Sequence, residues 1–584
     1  MQFPIGGYHF FQVGELYPFR NPIVTQNMPI EKGFVRKNMT DSTLLQRLPG
    51  LLIMLGCCLG LASCAFVEKR IDQTLGGPNL PADTTVTMAW DEKEKAPPKP
   101  PSRAAQPSGP LKITTTQAVL LSLENNRSLV VEKLNPDITK TFEDTERAVF
   151  DPKAAAEISG GRTDGERQAR AGSATEDFAR DEGVGIISLA QYFPTGTTVT
   201  LEGTTEMNDS SLYQDAFYWS RLGLTVNQAI LRGYGSDVNL VRLRQARLET
   251  RMSEYELRGF TQALVAQVEE SFWDYALAKR QVEIFEESLK VARQQVNETL
   301  ALIEVGRLAK SELPAVQMEL AAQEQGLINA RSDRETMRLQ LLRLLNPPGP
   351  DMWLRNVDLI YQPTLPEIKL DDVRSYVDMS MRMRPLLNEA RLKLMQNDLE
   401  VVKTKNGLLP VLDLFVSLGK SGYANSFGRS ISNITEDSYD AFVGIRFEYP
   451  IYNRAPKSRY QRATLSREQV EESLQNLSQL VELDVRTAYV EVNRARQQIK
   501  ASSTTRMFSE ETLRVETEKL RVGKSTSLLV AQAQKELLIS RIGEVQALAN
   551  YIKALINLYQ QDGSLLERRG IVAPGREPVT LSKY

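Results

Sequence analysis

The sequence predicts a mainly α chain that carries β walls, built from a helix–strand–strand–helix unit that occurs twice. Three observations predict it. The first is the run Tyr275, Ala278, Val282, Phe285, Leu289, Ala292, Val296, Thr299, Ile303, whose spacing alternates three and four without a break. That is a heptad seam, the mark of helices packed side by side along a shared axis. The second is an internal duplication. At the offset that carries Gly306 onto Gly523, Val268 falls on Val485, Ala278 on Ala495, Gln317 on Gln534, Gly326 on Gly543 and Leu341 on Leu558, with no gap. A repeat of that length is a fold-level signal. The third is a change of period from helical to two in the segments between the helices.

Composition narrows the function. The chain has 584 residues, enough for several domains, and a net charge of -2 spread over many charges of both signs. Without a basic bias, nucleic acid is not an expected partner. The single histidine, His9, lies in a segment expected to be removed from the mature protein. Hydrolase and zinc chemistry therefore lose their commonest base and ligand. Acidic residues are abundant but sit on helix faces at solvating spacing, and no glycine-rich phosphate loop is present. No catalytic residue, cofactor or metal site is expected, and the chain does not read as an enzyme. The cysteines, Cys57, Cys58 and Cys64, share one apolar segment, which leaves the body without a disulfide or thiolate site.

From the N-terminus, residues 1–63 read as an extension followed by a signal peptide. Arg36, Lys37 and Arg47 precede the apolar run Leu48–Ala65. Met39 is the preferred start, because residues 1–38 are unusual for a signal. The run ends in Leu61-Ala62-Ser63-Cys64, which resembles a bacterial lipobox with Cys64 as the acylated residue. A buried helix or a plain membrane anchor is the alternative, and Cys57, which lacks Leu at its minus-three position, is the second-choice cysteine. Acyl chains add membrane affinity without spanning anything. Residues 64–112, with Pro97-Pro98-Lys99-Pro100-Pro101, read as a tether.

The first repeat, 113–349, opens with a helical pattern from Thr114 and a second helical piece that stops at Phe150-Asp151-Pro152, where proline is a natural breaker. Strands are expected near Ala154–Gly160, Val184–Tyr192, Thr197–Gly203 and Phe217–Asn227. Leu222, Leu224 and Val226 alternate with Arg221, Gly223 and Thr225. Such alternation suits a membrane β-barrel wall, with lipid on one face and water on the other. It equally suits a soluble sheet with one wet face. Tyr192, Phe193, Phe217, Tyr218 and Trp219 gather at strand ends, as interfacial girdles do. Phe193-Pro194-Thr195-Gly196 reads as a tight turn. One long helix is expected from Ser236 to Ile303, a turn at Val305-Gly306-Arg307, and a return helix from Ser311 to Leu345.

A link, 350–370, leads to the second repeat, 371–565. A single helix is expected from Asp371 to about Gly407, then a strand carrying Leu412, Leu414, Val416 and Leu418 on one face. A returning strand carries Ala441, Val443, Ile445 and Phe447. A second long helix runs from Pro456 to Leu520, turns at Val522-Gly523-Lys524 and returns from Leu528 to Gln560. Residues 566–584 are read as a tail.

This order, with the strand exits Gln228-Ala229-Ile230-Leu231 and Tyr449-Pro450-Ile451-Tyr452 and the Val-Gly turns at Gly306 and Gly523, resembles the TolC-like outer-membrane factor family over Thr114–Ser564. Cys64 looks like the lipoprotein branch of that family. The resemblance implies a mainly α protein with membrane β: a long α-helical periplasmic barrel plus a transmembrane β-barrel formed by a homotrimer. It implies four strands per chain in a shared twelve-stranded barrel, which would put the Phe193 hairpin elsewhere. It further implies an outer-membrane exit duct for efflux or type I secretion, joined to a periplasmic adaptor and an inner-membrane transporter. Val305, Gly306, Arg307, Lys310, Val522, Gly523 and Lys524 would dock the adaptor. Counted from Gly523, the positions that carry gate aspartates in the family hold Leu529 and Gln532, while Glu312 follows the first turn; a gate there would be apolar or only partly acidic. The alternative function is a periplasmic coiled-coil adaptor or structural protein without a membrane barrel.

Overall fold

The computed structural model describes residues 109–168, 172, 174–211, 215–349, 352–360 and 369–581. The signal, Cys64 and most of the tether lie outside the described residues.

The described chain begins with strand β1 (Leu111–Ile113) and helices α1 (Thr115–Asn125), α2 (Arg127–Glu132) and α3 (Asn135–Arg147). Strands β2 (Lys153–Gln168), β3 (Thr175–Tyr192), β4 (Thr197–Ser210) and β5 (Phe217–Ala229) follow. After a single turn of helix, α4 (Ser236–Asn239), come α5 (Val241–Glu304), α6 (Leu313–Leu345) and strand β6 (Val357–Leu359). The second repeat holds α7 (Val373–Met383), α8 (Pro385–Asn406), β7 (Val411–Ala424), α9 (Phe427–Ser432), β8 (Tyr439–Glu448), α10 (Arg454–Arg521), α11 (Ser527–Gln561) and α12 (Leu565–Arg568).

The predicted seam is the buried face of α5: Tyr275, Ala278, Val282, Leu289, Ala292, Val296 and Thr299 are all buried. With 64 residues, α5 is ~96 Å long at a rise of ~1.5 Å per residue. It forms one hairpin with α6, α10 forms another with α11, and α5 packs on α11 to join the two. The two hairpin turns superpose in chemistry as they do in sequence. Arg307 N–H donates to Leu302 O at 2.8 Å, and Lys524 N–H donates to Lys519 O at 2.8 Å. Gly306 and Gly523 hold φ of 73° and 70°, the left-handed conformation that closes a helix in a Schellman turn and that glycine adopts without strain.

The hairpin interiors differ. Leu289 and Leu327 pack in one apolar cluster with Val282, Phe285 and Ala330. The equivalent sites in the second hairpin are Arg506 and Glu544, which form an ion pair at 2.6 Å.

The sheet departs from the resemblance. It has six antiparallel strands in the order β2-β3-β4-β5-β7-β8, where four were implied. The Phe193 hairpin is not elsewhere: it joins β3 to β4 within the sheet. Phe193 N–H donates to Thr197 O at 2.8 Å, and Gly196 N–H to Phe193 O at 2.9 Å. Gly196 takes φ 86°, and a Cβ there would lie 2.2 Å from Gly233 O, so only glycine fits. The repeats meet at β5–β7, where Leu224 pairs with Leu418 and Val226 with Val416. The first two strands extend well past their expected ends, to Gln168 and back from Thr175, because charged residues continue the pairing there.

Two helical expectations also change. The helix expected from Asp371 to Gly407 is broken at Arg384, which is extended (ψ 121°) ahead of Pro385; a residue before proline is pushed out of the α region. Asn388 Nδ2 donates to the carbonyls of Arg382 and Arg384 at 3.0 and 3.2 Å. The helix expected from Ser236 breaks once, at Leu240. The link, read from sequence as irregular with room for a small strand, holds β6, which pairs in parallel with β1.

Candidate functional site

Three regions of the described chain carry functional geometry: the two-faced sheet, the hairpin tips, and a charged seam at the waist.

On the sheet, strand pairing aligns residues into rows. One row runs Ala154, Leu189, Leu201, Leu224, Leu418, Ala441 from β2 to β8. The next row on the same face holds Val199, Val226, Val416 and Val443. Successive residues of a strand point to opposite faces, so the other face carries Ser188, Glu202, Arg221 and Asp440. Arg221 reaches from β5 across β7 to Asp440 on β8, with Nη2 2.7 Å from Oδ2 and Nε 3.1 Å from Oδ1. Gly419 makes this possible, since a Cβ there would lie 2.5 Å from Asp440 Oδ1. Aromatic stacks mark both ends of the sheet: Phe150 with Tyr192, and Phe217 with Tyr423, each at 5.8 Å between centroids.

At the tips, Val305 and Val522 are 69% and 68% exposed. Gly306, Arg307, Lys310, Gly523 and Lys524 are exposed as well. Two short apolar side chains therefore project from matched turns, each beside basic groups. Leu529 is 45% exposed and Gln532 is exposed, both on the first turns of α11. Glu312 is engaged within the protomer: its Oε2 accepts the backbone N–H of Ser527 at 2.8 Å. That N–H opens α11, where the helix dipole favours a carboxylate. Glu312 thus ties the first tip to the second. Residues not singled out from sequence complete this corner. Thr526 caps α11 by accepting Leu529 N–H at 3.4 Å. Lys519 and Ser525 both donate to Glu516, and these hydrogen bonds hold its carboxyl below the usual range.

The waist was the least legible region. One buried stripe along α5 runs Tyr255, Arg258, Gln262, Val265, Glu269, Phe272. The spacing still alternates three and four, but half of these residues are polar. The partners of Tyr255, Arg258 and Glu269 come from the segment after α11. Arg258 pairs with Glu567, and Tyr255 Oη donates to Glu577 O. Arg569 embraces Glu269 with Nε–Oε1 at 2.5 Å and Nη2–Oε2 at 2.7 Å. Val579 N–H donates to Asn388 Oδ1 at 2.9 Å. Residues 566–581, expected as a tail, are instead a belt bound across α5 and α8. Asp562, at its root, accepts Ser564 N–H at 2.7 Å, and burial pushes its carboxyl up to about 6.

Among the described residues no helix is long and apolar enough to cross a membrane. Two long helical hairpins thus grow from one two-faced sheet.

The comparisons agree. A sequence profile of the outer membrane efflux protein family matches residues 220–347 and 377–564, more than half of the chain. The chain belongs to the outer membrane efflux protein family, and it is an outer-membrane exit duct, a transport channel rather than an enzyme. This sets aside the adaptor alternative. Solved structures share the fold. The outer-membrane channel OprN matches with a TM-score of 0.58 at 16% identity, covering 77% of this chain and 90% of that one. CusC, described as forming a transmembrane channel, matches at 0.57 and 16%, covering 79% and 95%. The CmeC outer membrane channel of Campylobacter jejuni matches at 0.57 and 15%, covering 84% and 94%. Comparison with curated protein sequences returns no match.

Proposed function

We propose that three copies of the chain assemble into one conduit that spans the outer membrane and extends into the periplasm. There it receives cargo from an adaptor and an inner-membrane transporter. The observation that carries this is the pair of open edges: β2 and β8 each have one unpaired side within the protomer. Lipid does not tolerate unpaired backbone groups, so only closure against other copies makes the sheet viable in a bilayer. The long hairpins then become a helical wall around a shared axis.

The adaptor docks on the turns Val305-Gly306-Arg307 and Val522-Gly523-Lys524. Their exposed valines and basic neighbours support this reading. Leu529 and Gln532 face the narrowing at the periplasmic end and form an apolar-to-neutral gate, with Glu312 bracing the tips. Cys64 carries the acyl anchor.

The test is purification from outer membranes followed by native mass spectrometry and planar-bilayer recording. A trimer that conducts supports the reading; a protomer folded alone, with no conductance, overturns it. Paired Gly523→Ala and Lys524→Glu changes should abolish adaptor cross-linking and export while leaving the trimer intact. Unchanged export would remove the tips from the docking site.

A further inference from the structure

We infer that the β2–β3 hairpin is part of the membrane wall, so that the exit barrel is built from six strands per copy and passes cargo of wider cross-section than a four-strand plan allows. This rests on the trimeric duct proposed above.

Three observations carry it. First, the apolar band does not stop at β4. Leu201 on β4 continues to Leu189 on β3 and Ala154 on β2, and the neighbouring row places Ala156 beside Ile187. Ile158 and Ile187 are 91% and 71% exposed in the protomer, an arrangement that water penalises and acyl chains favour. Second, the same two strands change character beyond the band. Arg162 pairs with Asp181, Nη1–Oδ2 3.8 Å, and Arg167 with Glu176, Nε–Oε1 2.7 Å. The membrane face ends in a charged hairpin on the side away from the helices, as a strand pair leaving a bilayer should. Third, β2 and β3 have 16 and 18 residues, more than the ~9–11 that a tilted strand needs to cross.

Three copies of six strands close an eighteen-stranded barrel. Barrel diameter grows roughly linearly with strand number, so the open cross-section is about twofold that of a twelve-stranded barrel. The added width suits bulky or chain-like cargo.

The test uses the full chain reconstituted in liposomes, with nitroxide labels at Ile158→Cys and Ser159→Cys and the signal of the unsubstituted chain subtracted. The label at 158 should favour oxygen, soluble in lipid, and the label at 159 a water-soluble nickel chelate. Equal chelate access at both sites overturns the inference. A cysteine scan of Ala154–Ile158 against Val443–Phe447 should give covalent trimers, because β2 then meets β8 of the next copy. Their absence in a channel that still conducts also overturns it. Loss of conductance and trimer together instead counts against the duct reading.

Discussion

Arg293 on α5 donates to Glu324 on α6 at 3.1 Å, and the equivalent sites of the second hairpin hold Glu510 and Arg541 at 3.3 Å. The two charges have changed places while the contact has been kept. Both pairs are solvent-exposed, where such a bridge contributes about 0.2–1 kcal/mol. Arg293→Glu alone should destabilise the first hairpin by about that amount, through repulsion from Glu324. Arg293→Glu with Glu324→Arg should restore it, as the second hairpin already shows. Chemical denaturation with a double-mutant cycle reads the outcome; no recovery in the double variant would refute the equivalence.

A second pair of sites predicts opposite signs for one substitution. A Cβ on Gly326 would lie 2.3 Å from the Phe285 ring, whereas a Cβ on Gly543 meets nothing within 4 Å. The residue that corresponds to Phe285 is Ser502. Gly326→Ala should therefore cost about 1–3 kcal/mol by overpacking, while Gly543→Ala should gain up to about 1 kcal/mol from helix propensity. Thermal melts of the two variants decide it.

Glu312 is predicted to act as a brace. Glu312→Ala should remove about 0.3–2 kcal/mol of helix-terminus stabilisation from α11. Hydrogen exchange should accelerate over residues 524–530 and around the first turn, leaving the waist unchanged. Equal exchange in both proteins would mean that the contact does not restrain the tips.

Asp562 gives a pH signature. Its carboxyl is raised in the fold from 3.8 to about 6, so the folded protein binds the extra proton and stability falls as pH rises through that window. At one pKa unit per ~1.4 kcal/mol, the full effect is about 3 kcal/mol, complete above the folded value. Asp562→Asn keeps the acceptor for Ser564 and should flatten this component of the pH 4–7 melting profile. An unchanged slope would place the proton elsewhere.

The parts legible in the sequence were those governed by local period. The seam from Tyr275, the offset that maps Gly306 onto Gly523, and the alternation of Leu412 to Leu418 each express one element's geometry. What was not legible depended on partners far away. Arg258 and Glu269 occupy seam positions but read as surface charges until Glu567 and Arg569 are brought against them. The extent of β2 was obscured because its outer half mixes Arg, Asp and Glu with glycines, and the charges pair across strands rather than alternate in hydropathy. Tip residues were found as exposed turns, but the link from Glu312 to Ser527 joins residues 215 positions apart and leaves no local mark.

The belt bears on how the protein is made. Arg258 and its partner Glu567 are 309 positions apart, so during vectorial delivery across the inner membrane the guanidinium waits for more than half of the chain. Until then that stretch of α5 carries a charge with no counterion on a surface destined for burial. Maturation of the waist is therefore coupled to release of the distal segment, and a chain arrested in translocation before Glu567 emerges should remain open to periplasmic proteases.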